Sequence, residues 1–132
     1  MRITVDTNVI LRLLLGDDPQ QEQIAARELD RADNVILPIV ALCETAWVLT
    51  SRYGLSRAEV ADKLRELTAV SHAVSDRDEV EAGLAMLDLG GDFADGVIAR
   101  QGRSRRAEAF VSFDRKAVKR LVALGENARL PS

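Results

Sequence analysis

The chain predicts an α/β fold with parallel strands. Two short apolar stretches, RITVD at the start and EAFVSFD at residues 108 to 114, alternate apolar and polar positions and end in an acid. Between them lie long segments with helical periodicity and clear cap signals. At 132 residues the chain fits one domain, residues 1 to 132, and no low-complexity tract or internal repeat divides it.

In RITVD, Ile3 and Val5 set the strand, and Thr7 and Asn8 open the next helix. Asp6 therefore ends the first strand, the place where open parallel sheets collect ligands, and also where a helix cap belongs. Val9 to Leu15 is a helical run closed by Gly16; Asp17, Asp18 and Pro19 open a second helix to about Arg31, and Asn34 to Leu37 forms a second strand. LPIVALCETAWVL, residues 37 to 49, carries one charge, Glu44, in an otherwise apolar helix. A buried carboxylate costs several kcal/mol unless it is paired, metal-bound or open to water, so Glu44 needs a partner, with Arg12 or Arg52 the simplest. Trp47 reads as core.

Tyr53 and Gly54 end that helix, Ser56 with Glu59 forms a capping box, and a helix over Arg57 to Leu67 completes an αα hairpin. Residues 69 to 76 are a loop or short strand, followed by a helix capped by Ser75 or Asp76 and running through Leu87. Gly90 and Gly91 break the chain before GGDFADGVIA, where Asp92 can cap a helix to about Arg103, with Phe93, Val97 and Ile98 turned inward. Asp95 falls one turn later, and two ionised carboxylates at that spacing repel unless a cation or water lies between them. The strand over 108 to 114 ends at Ser112 and Asp114, a cationic helix runs over Arg115 to Leu124, Gly125 stops it, and ARLP supplies a minor edge strand or a loose end. Right-handed crossovers would set the strand ends on one edge and could bring Asp6 and Asp114 together.

The net charge of -3 argues against a uniformly basic nucleic-acid binder. Residues 1 to 98, however, hold nine basic and eighteen acidic side chains, and residues 99 to 132 hold nine basic and three acidic. The C-terminal third is thus a candidate basic patch, with Arg100, Arg103 and Lys116 as phosphate contacts, or else a solvated helix end. The single cysteine, Cys43, rules out an internal disulfide and reads as an inert core thiol, and one histidine, His72, is too few for a hydrolase triad. No leader or membrane span is visible, and a cytoplasmic location is expected.

Asp6, Glu44, Asp92, Asp95 and Asp114 are dispersed in sequence, yet each sits at a strand end, a helix start or in an apolar helix. All-oxygen clusters suit hard cations, and a magnesium ion held by a few carboxylates leaves room for a phosphate oxygen and an attacking water. Phosphodiester hydrolysis is the chemistry that follows.

VDTNVI, the mid-helix Glu44, DFADGVIA and SFD, in that order across nearly the whole chain, resemble the acidic motifs of PIN domains, most closely the short VapC-type toxins. The resemblance implies a three-layer α/β/α sandwich with a central, mainly parallel sheet. It further implies an endoribonuclease dependent on Mg2+ or Mn2+, a homodimer, and neutralisation by a VapB-type antitoxin. Asp6, Glu44, Asp95 and Asp114 match the family's acidic set, Asp92 an additional acid, and Thr7, Asn8 and Ser112 its supporting polar positions. On that match Asp6, Asp95 and Asp114 hold metal, while Glu44 orients the attacking water or a second ion. Two alternatives are a non-catalytic PIN-fold module that binds RNA or protein, and an aspartyl-nucleophile phosphatase. The phosphatase is disfavoured by Asn8, which stands where a second aspartate is wanted for acid/base work.

Overall fold

A computed structural model describes residues 1–132. Five short strands and seven helices alternate along the chain, consistent with an α/β three-layer sandwich. β1 (Arg2–Thr4) leads into α1 (Thr7–Leu15) and α2 (Pro19–Arg31); β2 (Asn34–Ile36) leads into α3 (Ile39–Ser51) and α4 (Arg57–Thr68). β3 (Ala73–Val74) precedes α5 (Arg77–Asp88) and α6 (Phe93–Ser104), and β4 (Phe110–Val111), α7 (Arg115–Ala123) and β5 (Ala128–Arg129) complete the order. No helix is long and apolar enough to cross a membrane.

Local chemistry sets these boundaries. Asp6, Asp18, Asp76 and Asp114 each cap a helix through a side-chain oxygen, Pro19 opens α2, and Gly16 closes α1 in the left-handed conformation. Ser56 and Glu59 make both halves of the capping box on α4. The expected elements are all present, with the uncertain 69 to 76 segment resolved as β3 and the ARLP stretch contributing β5.

All strand pairs are parallel, but they form two sheets: β1-β2-β3, with Ile3 opposite Val35 and Val35 opposite Ala73, and a separate β4-β5 pair. No strand-pair hydrogen bonds join β1 to β4, so the first and fourth strands are not ladder neighbours. The core explains the split. Its main cluster packs Ile10, Leu42, Leu49, Leu64 and Phe93 between the three-stranded sheet and α1, α3, α4, α5 and α6. A second, smaller cluster of Met86, Ala99 and Leu121, flanked by Phe110 and Ala128, seats the β4-α7-β5 unit on α5 and α6.

α5 and α6 form the closest helix pair. Gly96 allows it: a Cβ there would lie 2.8 Å from the Ala82 carbonyl carbon and 2.9 Å from Met86 Cγ. This contact fixes the height of α6, and with it the two aspartates at its start.

Two expectations about apolar residues are overturned. Trp47 is 59% exposed rather than core, because α3 turns the face of Val40, Glu44 and Trp47 outward while Leu42, Ala46 and Leu49 take the core. Ile98 is likewise exposed, one residue off the stripe of Phe93 and Val97 that α6 buries.

Candidate active site

Three helix N-termini carry four of the five acids, and Glu44 lies mid-helix in α3. Asp6 precedes α1 and accepts a 3.0 Å bond from the Val9 amide, and Asp114 precedes α7 and accepts one of 3.0 Å from Ala117. Ser112 Oγ in turn accepts from the Asp114 amide at 3.0 Å, which fixes the turn between β4 and α7. In both aspartates Oδ1 serves the cap and the second oxygen is not used there. Thr7 is partly buried at the start of α1, and Asn8 is exposed beside it.

Asp92 occupies the cap position of α6 without making the cap bond. Its carboxylate is taken by Arg57 at 3.1 Å, a partner 35 residues away that its N-terminal position in α4 did not distinguish from any exposed arginine. Asp95 lies in the first turn of α6, and its carboxyl is held above the ordinary range. Burial is the largest cause, followed by the negative charges of Asp92 and Asp114, with Arg120 pulling the other way. Asp92, Asp95 and Asp114 thus share one negative field, and Arg120 is a neighbour that the sequence placed only in the general basic patch.

Neither Asp6 nor Glu44 is among the causes of the Asp95 shift. Glu44 is exposed, so the partner its apolar helix called for is supplied by water. Arg12 instead pairs with Asp17 at 3.1 Å, and the Arg52 guanidinium lies 5.8 Å from the Trp47 ring centre. No three His, Cys, Asp or Glu side chains converge to hold a metal ion. The donors have the right chemistry for a hard divalent cation.

Of the basic residues singled out, Arg100 pairs with Asp78 at 3.2 Å, Arg103 pairs with Glu126 at 3.0 Å, and Lys116 is exposed in the first turn of α7. His72 is structural, its Nε2 lying 2.8 Å from the Leu29 carbonyl oxygen. Cys43 is half-buried, and burial, with the charge of Glu79, pushes its thiol up to about 11, which keeps it protonated and unreactive at neutral pH.

The PIN domain family model matches residues 3–123, from the middle of β1 to the end of α7. The chain belongs to the PIN domain family. PIN domains are generally nucleases and generally use divalent metals, so a nuclease-type function and a hydrolase follow for this chain at that level. The match spans all five acids and the turns that carry them. No curated protein matches the chain.

Proposed function

We propose that this PIN domain is an endoribonuclease dependent on Mg2+ or Mn2+, acting as the toxin of a type II VapBC-type pair and held in check by a VapB-type antitoxin. The observation that carries the reading is the Asp92, Asp95 and Asp114 field at the starts of α6 and α7. Like charges gathered in a half-buried place cost stability, and folds retain such clusters where they act. The motif resemblance supplies the RNA substrate, the toxin role, the homodimer and the cytoplasmic setting.

In this reading Asp6, Asp95 and Asp114 are the metal-facing carboxylates, Asp92 adds charge beside them, and Glu44 orients water. A bound divalent cation would supply charge neutralisation and a more acidic water. The chain's own residues do the rest. The positive ends of α1, α6 and α7 favour the approach of a phosphate, and the cap bonds hold Asp6 and Asp114 in fixed orientations. Thr7 and Asn8 are the supporting polar positions of the first turn of α1, and Ser112 fixes the turn before α7. Arg57 pairs with Asp92, while burial and the neighbouring carboxylates hold the Asp95 carboxyl above its ordinary range. Arg100, Arg103 and Lys116 steer the RNA backbone, the two arginines by exchanging their carboxylate partners for phosphates.

The test is cleavage of total RNA by the purified chain and by Asp95→Asn in magnesium, manganese and EDTA. Discrete fragments from the wild type, abolished by EDTA and by the substitution, are the expected result. Full metal-dependent activity in Asp95→Asn would refute the assignment, and RNA binding unaffected by EDTA without cleavage would favour the non-catalytic module.

A further inference from the structure

Trp47 is the one tryptophan of the chain, and α3 holds its ring 59% exposed. Exposure of a single apolar side chain is ordinary; the surroundings of this one are not. The ring borders a narrow cleft between α3 and the start of α6, shared with Cys43, Arg57, Asp92 and Phe93. Asp92 adds to the negative field around Asp95, so one wall of the cleft belongs to the acidic site. Glu44 lies three residues before Trp47 on α3, a spacing that makes helical neighbours, and it too is exposed. Trp47 thus stands beside two of the five acids, one on its own helix and one across the cleft.

Two guanidinium groups accompany the ring. Arg52 lies 5.8 Å from its centre, within cation–π range, and is exposed. Arg57 gives one Nη to Asp92 at 3.1 Å and leaves its Nε without a hydrogen-bond partner, so the pair does not use all that the group can donate. An aromatic face with arginines beside it is the composition of a platform for single-stranded nucleic acid, where bases stack on the ring and cations follow the backbone. We propose that Trp47 is the stacking platform for an unpaired base of the RNA beside the phosphate that is cleaved, with Arg52 and Arg57 taking the adjoining phosphates. This rests on the nuclease reading and names a base subsite of that same site.

A base suits this place better than a protein segment does. The cleft beside the ring, 60 Å³, is far smaller than the roughly 300 Å³ of a pocket that encloses a ligand, so the occupant lies on the ring rather than in a cavity. The positions around it, Glu44, Arg52, Arg57 and Asp92, carry charge, whereas the core of a protein interface is depleted of charge. A flat base needs only the one exposed ring. Stacking tolerates any sequence because every base has a π face, so Trp47 contributes affinity and placement. It also favours unpaired RNA over duplex, whose bases are already stacked.

As the sole tryptophan, Trp47 reports its own occupancy by fluorescence. The full chain is titrated in calcium, a hard divalent cation like magnesium, with oligoadenylate and with a ribose-phosphate oligomer of equal length that lacks bases. Quenching by oligoadenylate and none by the abasic oligomer is the expected result. Trp47→Ala, at an exposed position, is expected to weaken oligoadenylate binding about tenfold, read by anisotropy of a labelled oligomer. It should raise KM for cleavage more than it lowers kcat, and Trp47→Phe should recover most of the loss. Arg57→Gln should lower the slope of log affinity against log salt by about 1. Unquenched emission and equal binding of both oligomers, in a wild type that cleaves, overturn the base subsite and leave the nuclease standing. Base-dependent quenching in a wild type that cleaves nothing leaves the subsite standing and overturns the nuclease, and a wild type that neither cleaves nor quenches overturns both. Emission that ignores RNA but shifts on dilution, with Trp47→Ala monomeric where the wild type is not, assigns the face to a second copy and overturns the proposal.

Discussion

Replacing Gly96 by alanine sets two effects against each other. In an isolated helix the change is favourable by about 1 kcal/mol, because glycine loses more backbone freedom than alanine on folding. In this protein the new Cβ would lie 2.8 Å from the Ala82 carbonyl carbon and 2.9 Å from Met86 Cγ, separations that real Cβ atoms do not reach. Met86 can yield through its flexible side chain, but the Ala82 backbone belongs to α5 and can yield only if the two helices part. Overpacking of this kind costs about 1–3 kcal/mol, and a backbone obstacle places it toward the upper end. The net expectation is a loss of about 1–2 kcal/mol, which lowers Tm by roughly 4–8 °C in a chain of this size. Urea and thermal denaturation followed by circular dichroism would measure it. Because α6 carries Asp92 and Asp95, the same displacement is expected to lower cleavage more than the stability loss alone explains. A Gly96→Ala protein as stable as wild type, or more so, would refute the close α5–α6 contact.

Three further outcomes follow from single residues. Ser56→Ala removes one half of the capping box on α4 and is expected to cost about 1 kcal/mol, read as a lower urea midpoint with an unchanged slope. Asp95→Asn is expected to raise stability at neutral pH. The folded carboxyl holds its proton above the ordinary value of 3.8, so ionising it opposes folding; that penalty is absent below 3.8, grows as pH rises through the raised value, and is constant above. Denaturation midpoints of wild type and variant should therefore converge in acid and separate toward neutrality, and the opposite trend would contradict the shared field. Finally, reversing the charges of Arg100, Arg103 and Lys116 together should flatten the dependence of RNA affinity on salt, and an unchanged slope would remove those residues from the RNA path.

Most of the fold is readable from the chain because its signals are local. Asp76 three residues before Glu79, Ser56 with Glu59 and Pro19 after Asp18 act within one turn, and each helix starts where they place it. Asp92 shows the limit of that logic: its sequence position is a cap, but Arg57 arrives from α4 and takes the carboxylate. Trp47 and Glu44 show the same limit on α3, where nearly every position is apolar and periodicity alone does not say which face meets the core. The gathering of Asp92, Asp95 and Asp114 was legible from their places at helix starts. The separate pairing of β4 with β5 was not, because it depends on where the β4-α7-β5 unit seats, which the small cluster of Met86, Ala99 and Leu121 decides.

The capping role of the acids governs how they can be tested. Asp6 and Asp114 each hold a helix amide at 3.0 Å, so alanine at either position would remove charge and cap together and lower stability by about 1 kcal/mol. Asparagine keeps an oxygen for the same amide and caps nearly as well, so it removes the charge alone. A loss of cleavage in Asp6→Asn or Asp114→Asn at unchanged Tm therefore reports on the carboxylate charge, whereas the same loss in an alanine variant does not separate chemistry from a frayed helix. Asp92 is the informative contrast. Its carboxylate makes no cap bond and its pair with Arg57 is exposed, so even Asp92→Ala should leave stability within about 1 kcal/mol of wild type. If Asp92→Ala nevertheless unfolds the protein, the Arg57 pair carries structural weight that its exposure denies.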